Sequence, residues 1–175
     1  MLRRVLIATG IILLSFLLQT TIFKSKILTF GLVSPNLLLM ITFIFGFMRG
    51  RKTGLLTGFF CGILIDVLYS DVIGVNAIIF MFVGYINGWF NKIFYDEDIA
   101  LPLGLLVGSE FLYNTIFYFF RFFLRGEFNY FYYVFHVIIP ETIYTILVTI
   151  FVYRLILSMN RKLERYERRR TGKFV

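Results

Sequence analysis

The sequence predicts an all-α integral membrane protein with six transmembrane helices, and three observations carry that prediction. The chain of 175 residues is 59% hydrophobic and 20% aromatic but only 16% charged, with a mean hydropathy of +0.82. A domain covered by water does not carry that balance; one covered by lipid does. Apolar runs alternate with short polar segments, and most runs approach the ~20 residues that a helix needs to cross a bilayer. The 18 Lys and Arg residues gather between and after these runs, mostly on one side of the expected membrane.

Met1 to Arg4 is a short basic start, and Val5 to Phe23 is an apolar run that reads as the first span. A cleaved signal peptide is the competing reading. The run is long for a signal's apolar region, however, and Gln19-Thr20-Thr21-Ile22-Phe23 offers no small-x-small cleavage site. Ala8, Ser15 and Gln19 fall on one face of this helix. Lys24 to Val33 is a loop. Ser34-Pro35 then reads as a helix start, with Ser34 as the capping side chain and Pro35 at the first helical position, where its missing N–H costs nothing. The second span, Asn36 to Met48, makes only about 20 Å of helix at about 1.5 Å per residue, so a re-entrant hairpin with the third run is its alternative.

Arg49, Arg51 and Lys52 precede the third run, Thr53 to Ser70. There Gly54, Gly58, Gly62 and Asp66 recur every fourth residue, forming a stripe without side chains that ends in a carboxylate. In a membrane such a stripe lets another backbone approach, either from this chain or from a partner's helix. A very short turn, Ser70 to Gly74, leads to the fourth span, Val75 to Phe90, which carries Asn76, Gly84, Asn87 and Gly88. Asn91 to Asp98 is a polar loop whose Asp96, Glu97 and Asp98 favour the start of the fifth helix through its dipole.

The fifth span, Ile99 to about Phe123, puts Glu110, Asn114, Phe117 and Arg121 on one stripe. The sixth runs from about Tyr132 to Met159 with a kink expected at Pro140. Residues 1–159 thus form a single six-helix membrane domain, and 160–175 a basic tail with seven Lys or Arg and two Glu. Counted by side, fourteen basic residues accompany the termini and four lie opposite, which places both termini in the cytoplasm.

Ionisable groups inside the membrane are costly and default to functional candidates. Asp66 lies about 6 Å below the outer end of its helix by the rise per residue, within reach of donors in the following turn. Glu110 is near mid-span with Asn114 as its neighbour on the same helix, Glu141 follows Pro140 in the outer half, and Arg121 can snorkel outward. Glu110 and Glu141 have three readings: buried structural hydrogen bonds, contact with a partner's membrane helix, or movement of protons or solute. From Phe111 to Phe135, 14 of 25 residues are Phe or Tyr, which reads as an aromatic belt or as a flat face for a partner. His136 reads as an interfacial side chain.

Much chemistry is excluded. Cys61 and His136 are each the only residue of their type, so no His/Cys metal cluster and no intrachain disulfide can form. No nucleophile–base arrangement or phosphate loop appears, and neither catalytic residues nor cofactors are expected. The basic tail follows directly on a span, so anionic lipid headgroups rather than nucleic acid are its expected neighbours.

Three stretches together resemble the MreD family of bacterial rod-shape-determining membrane proteins. They are Ser34-Pro35-Asn36-Leu37-Leu38-Leu39, Gly58-Phe59-Phe60-Cys61-Gly62-Ile63-Leu64-Ile65-Asp66, and Gly74-Val75-Asn76-Ala77. One departure is Asn36, where family members often carry an acidic residue. The resemblance implies a non-enzymatic scaffold in the bacterial cytoplasmic (inner) membrane. It would work with the single-span protein MreC and, through it, with MreB, RodA and a class B penicillin-binding protein. It also implies a fold similar to the substrate-binding subunits of energy-coupling-factor vitamin transporters, and hence an alternative function in binding a small solute. Such subunits dock through an Ala-x-x-x-Ala pair in the first helix, which Ala8 and Ile12 do not form.

Overall fold

A chain with so little polar surface must satisfy its backbone N–H and C=O groups internally, and helices do this within one segment. All regular structure among the described residues of the computed structural model is helical. Those residues are 2–22, 34–70, 72–93, 100–121 and 130–171 for the backbone, and 6–21, 34–70, 72–91, 101–120 and 130–158 for the side chains. Helix α1 (Leu2–Leu17) runs on into a π-helical turn, Leu18–Ile22. Helices α2 (Leu37–Arg49), α3 (Arg51–Tyr69) and α4 (Val75–Asn87) follow, then a 3₁₀ turn, Phe90–Ile93, and α5 (Ala100–Arg121). The last rod starts as α6 (Tyr130–Tyr133), passes through a π-helical turn, Val134–Ile138, and continues as α7 (Ile139–Thr171).

Three helical stretches, Arg51–Tyr69, Leu101–Phe120 and Tyr130–Ser158, are long and apolar enough to cross a membrane, and α1, α2 and α4 are apolar but shorter. The π turn stands where the kink was expected. Pro140 has no N–H to donate to the carbonyl of His136, and its ring crowds that turn, so the hydrogen-bond ladder changes register just before it. Beyond Met159 the backbone stays helical to Thr171, so the basic segment continues the last rod.

The short second helix is the centre of the molecule. Every side chain from Leu37 to Met48 is buried, and α2 is packed against α1, α3, α4, α5 and α7. A helix jacketed by protein need not match the thickness of the bilayer, which resolves the tension between its apolar character and its 13 residues. The helix begins later than the Ser34-Pro35 signal suggests. Asn36 is the N-cap, accepting from the Leu39 N–H at 3.2 Å, and Ser34 and Pro35 precede the helix. Gly50 alone joins α2 to α3, at φ +89, a left-handed value that favours glycine.

Helices α3 and α4 pack backbone to backbone. A Cβ on Gly54 would collide with the carbonyl oxygen of Gly84, one on Gly58 with that of Phe80, and one on Gly62 with the Cα of Ala77. Gly46 of α2 joins them, since a Cβ there would come within 2.7 Å of the same Gly84 oxygen. The stripe therefore faces α4 of this chain and is no open groove for a partner. Close contact between backbones maximises dispersion where water gives helices no reason to associate.

A Gly58→Ala variant is expected to force α3 and α4 apart, costing about 1–3 kcal/mol and lowering the melting temperature in detergent by roughly 2–10 °C. Gly108→Ala on α5, where a Cβ would meet nothing within 4 Å, is expected to melt no lower than the parent. Thermal unfolding of the two side by side checks both.

Candidate functional site

A cluster of buried polar side chains lies at one end of the bundle, the end formed by the start of α2, the turn between α3 and α4, and the start of α7, while Asn87 and Ser109 pair away from it. The organising group is Asp66. Its carboxylate, fully buried, accepts four hydrogen bonds: at Oδ2 from the N–H groups of Gly74 (2.9 Å) and Ala77 (3.0 Å), and at Oδ1 from the N–H (3.1 Å) and side-chain amide (2.9 Å) of Asn76. These donors are the first turn of α4, whose own N-cap is Gly74, a residue with no side chain to offer. The last turn of α3 thus supplies the cap for α4, and the helix dipole favours the negative charge. Gly74 holds φ +108, the left-handed conformation that turns the chain back so tightly.

Asn76 passes the network on. Its amide also donates to Ser70 Oγ at 2.8 Å, and its carbonyl oxygen accepts from the Tyr113 hydroxyl of α5 at 3.1 Å. The start of α2 is satisfied in the same manner by distant residues. Gln19 Oε1 accepts from the Leu38 N–H at 3.0 Å, and the N–H of Asn36 donates to Thr145 Oγ1 of α7 at 3.2 Å. Two helix N-termini are thereby tied to the π turn after α1 and to α3, α5 and α7.

Between these groups lies a cavity of about 260 Å³, bordered by Asn36, Ser70, Asn76, Tyr113 and Glu141. Glu110 of α5 is buried beside it, next to the Thr145 hydroxyl and within electrostatic reach of Glu141, yet neither of its carboxylate oxygens makes a hydrogen bond. Its expected neighbour Asn114 turns elsewhere: the Asn114 amide donates to the backbone carbonyl of Glu110 at 3.2 Å and lies close to Glu141. Helical geometry explains this, because an amide four residues on finds the i–4 carbonyl before it finds a side chain pointing across to another helix.

The residues singled out in the sequence thus divide into groups. Asp66, Gly74 and Asn76 form the cap, Asn36 and Pro35 sit at the start of α2, and Glu110, Asn114 and Glu141 meet between α5 and α7. Gly54, Gly58 and Gly62 belong to the α3–α4 contact on the same helix. Arg121 ends α5, and its side chain lies outside the described residues. Four contributors carried no local signal as site residues: Gln19, Ser70, Tyr113 and Thr145 are ordinary polar or aromatic residues in apolar runs, and only the packing brings them here. His136 is exposed, stacked on Tyr132 with ring centroids 4.0 Å apart, and its ring nitrogen pairs with the Tyr132 carbonyl rather than with this network. Among the described residues no group of three or more His, Cys, Asp or Glu could hold a metal ion.

Asp66→Ala leaves three backbone N–H groups of α4 without an acceptor and is expected to cost about 2–4 kcal/mol, with faster amide exchange at Asn76 and Ala77. Asp66→Asn keeps one acceptor oxygen and is expected to lose less. Thermal unfolding and hydrogen exchange of the two variants check the order.

No curated protein and no solved structure matches the chain. The family model for rod shape-determining protein MreD matches residues 1–163, nearly the whole sequence, and the chain belongs to the MreD family.

Proposed function

We propose that this protein is a non-enzymatic membrane scaffold of the bacterial wall-elongation complex, and that it binds MreC within the membrane. Membership of the MreD family, which implies a role in rod shape determination, is the single observation that carries the reading. The family is a shape-determining one and not a known enzyme family. Through MreC the scaffold would reach MreB, RodA and a class B penicillin-binding protein. The apolar side chains on the outside of α3 and α4, such as Phe60, Leu68, Ile78 and Phe82, suit contact with lipid or with another membrane helix.

The reading includes a six-span topology with both termini cytoplasmic, in the bacterial inner membrane, and a fold like that of energy-coupling-factor substrate-binding subunits. The cavity end then faces outward, and Arg49, Arg51 and Lys52 face the cytoplasm. Arg51 lies over the Trp89 ring at 5.5 Å from its centroid, an arrangement suited to an interfacial anchor at that end.

Depleting the protein from a rod-shaped host is expected to give round cells, and recovery of MreC with tagged protein from detergent extracts is expected to be specific. A host that keeps its rods, or equal recovery of MreC with an unrelated tagged membrane protein, overturns the reading. Reporter fusions test the topology: an alkaline phosphatase placed in the turn after Ser70 is expected to be active, and one placed after Val175 inactive.

A further inference from the structure

The cavity holds an arrangement that the scaffold reading does not use. Glu141 borders it, and Glu110, whose carboxylate oxygens make no hydrogen bond, is buried outside the lining within electrostatic reach of Glu141. Among the described residues no Lys or Arg lines the cavity. The rest of the lining consists of amide and hydroxyl groups together with Ile65 and the rings of Tyr69, Tyr113 and Phe117. Carboxylates within reach of aromatic faces are the two features that receive an organic cation: the carboxylate takes the N–H bonds, and the rings take the charge and the hydrocarbon. A hard metal ion fits poorly, because it demands six or more converging oxygens and gains nothing from aromatic walls.

Access is from the helix ends. Gln19, Ser34, Asn36 and Ser70, all at or beside helix termini, border the cavity and give it a polar rim. At about 260 Å³ the space is near the lower end of small-molecule pockets.

We propose that this cavity binds a small organic cation, an ammonium or guanidinium compound taken from the aqueous phase, with its charged group on Glu141, near which Glu110 is buried, and its carbon skeleton against Tyr69, Tyr113 and Phe117. Binding there bridges α5 and α7 and sets the packing of the end at which α2 and α4 begin. The site stands independently of the scaffold role, and no transport is implied.

The test uses the purified full-length chain in detergent. Titration with n-butylammonium or methylguanidinium is expected to raise the melting temperature saturably, by about 2–8 °C at concentrations well above Kd. The uncharged 1-butanol and sodium chloride at equal concentration are expected to leave it unchanged. In Glu141→Gln the half-saturating concentration is expected to rise at least tenfold, and in the double variant with Glu110→Gln the shift is expected to vanish. A comparable shift with 1-butanol or sodium, or a full shift that survives in the double variant, overturns the proposal. Should the double variant fail to fold, saturation-transfer NMR on the parent decides. Transfer from protein aromatic protons to n-butylammonium that methylguanidinium displaces supports the site, and no transfer, or transfer not displaced, removes it.

Discussion

A helix that begins inside a bundle leaves N–H groups that no water reaches, and this protein answers that constraint with side chains from other helices. Asp66 at the end of α3 closes the start of α4, and Gln19 of the π turn that follows α1 together with Asn36 closes the start of α2. Each cap is also a tertiary contact, so satisfying the backbone and fixing which helices are neighbours are one event. The carboxylate is well suited to this, because it accepts several N–H groups at once and its charge is stabilised by the dipole of the helix it closes.

The caps fix one end of the bundle, and the glycines fix its middle. Gly46, Gly54 and Gly84 bring three backbones together at one point, with Gly58 and Gly62 extending the contact along α3 toward Asp66. The close approach along the stripe leads α3 and α4 into the tight turn that places Gly74, Asn76 and Ala77 under the carboxylate. The polar cavity lies at the same end, bordered by Ile65 and Tyr69 of α3, Asn76 of α4, Tyr113 of α5 and Glu141 of α7.

The apolar runs were legible because lipid demands long uninterrupted stretches, and α3 and α5 appear within a few residues of their expected limits. The glycine stripe was legible as a place where a backbone comes close. Whose backbone was not, since a row of missing side chains says nothing of what fills it. The start of α2 was read from Ser34-Pro35, a local cap rule, and the structure begins it at Leu37 because Gln19 and Thr145, far away in sequence, fix the donors there. The same limit hid Tyr113. A phenol in an aromatic-rich run carries no mark of its hydrogen bond to Asn76, and the facing of Glu110 toward α7 depends on a helix pairing that periodicity on α5 alone does not contain.

The last rod has a mechanical implication. Helix α7 is 33 residues long, about 50 Å at 1.5 Å per residue, and it follows directly on the π turn that precedes Pro140. A change of about 10° at that turn would swing its far tip at Thr171 through about 9 Å, a lever arm that magnifies a small adjustment beside Glu141 into a displacement as wide as a helix.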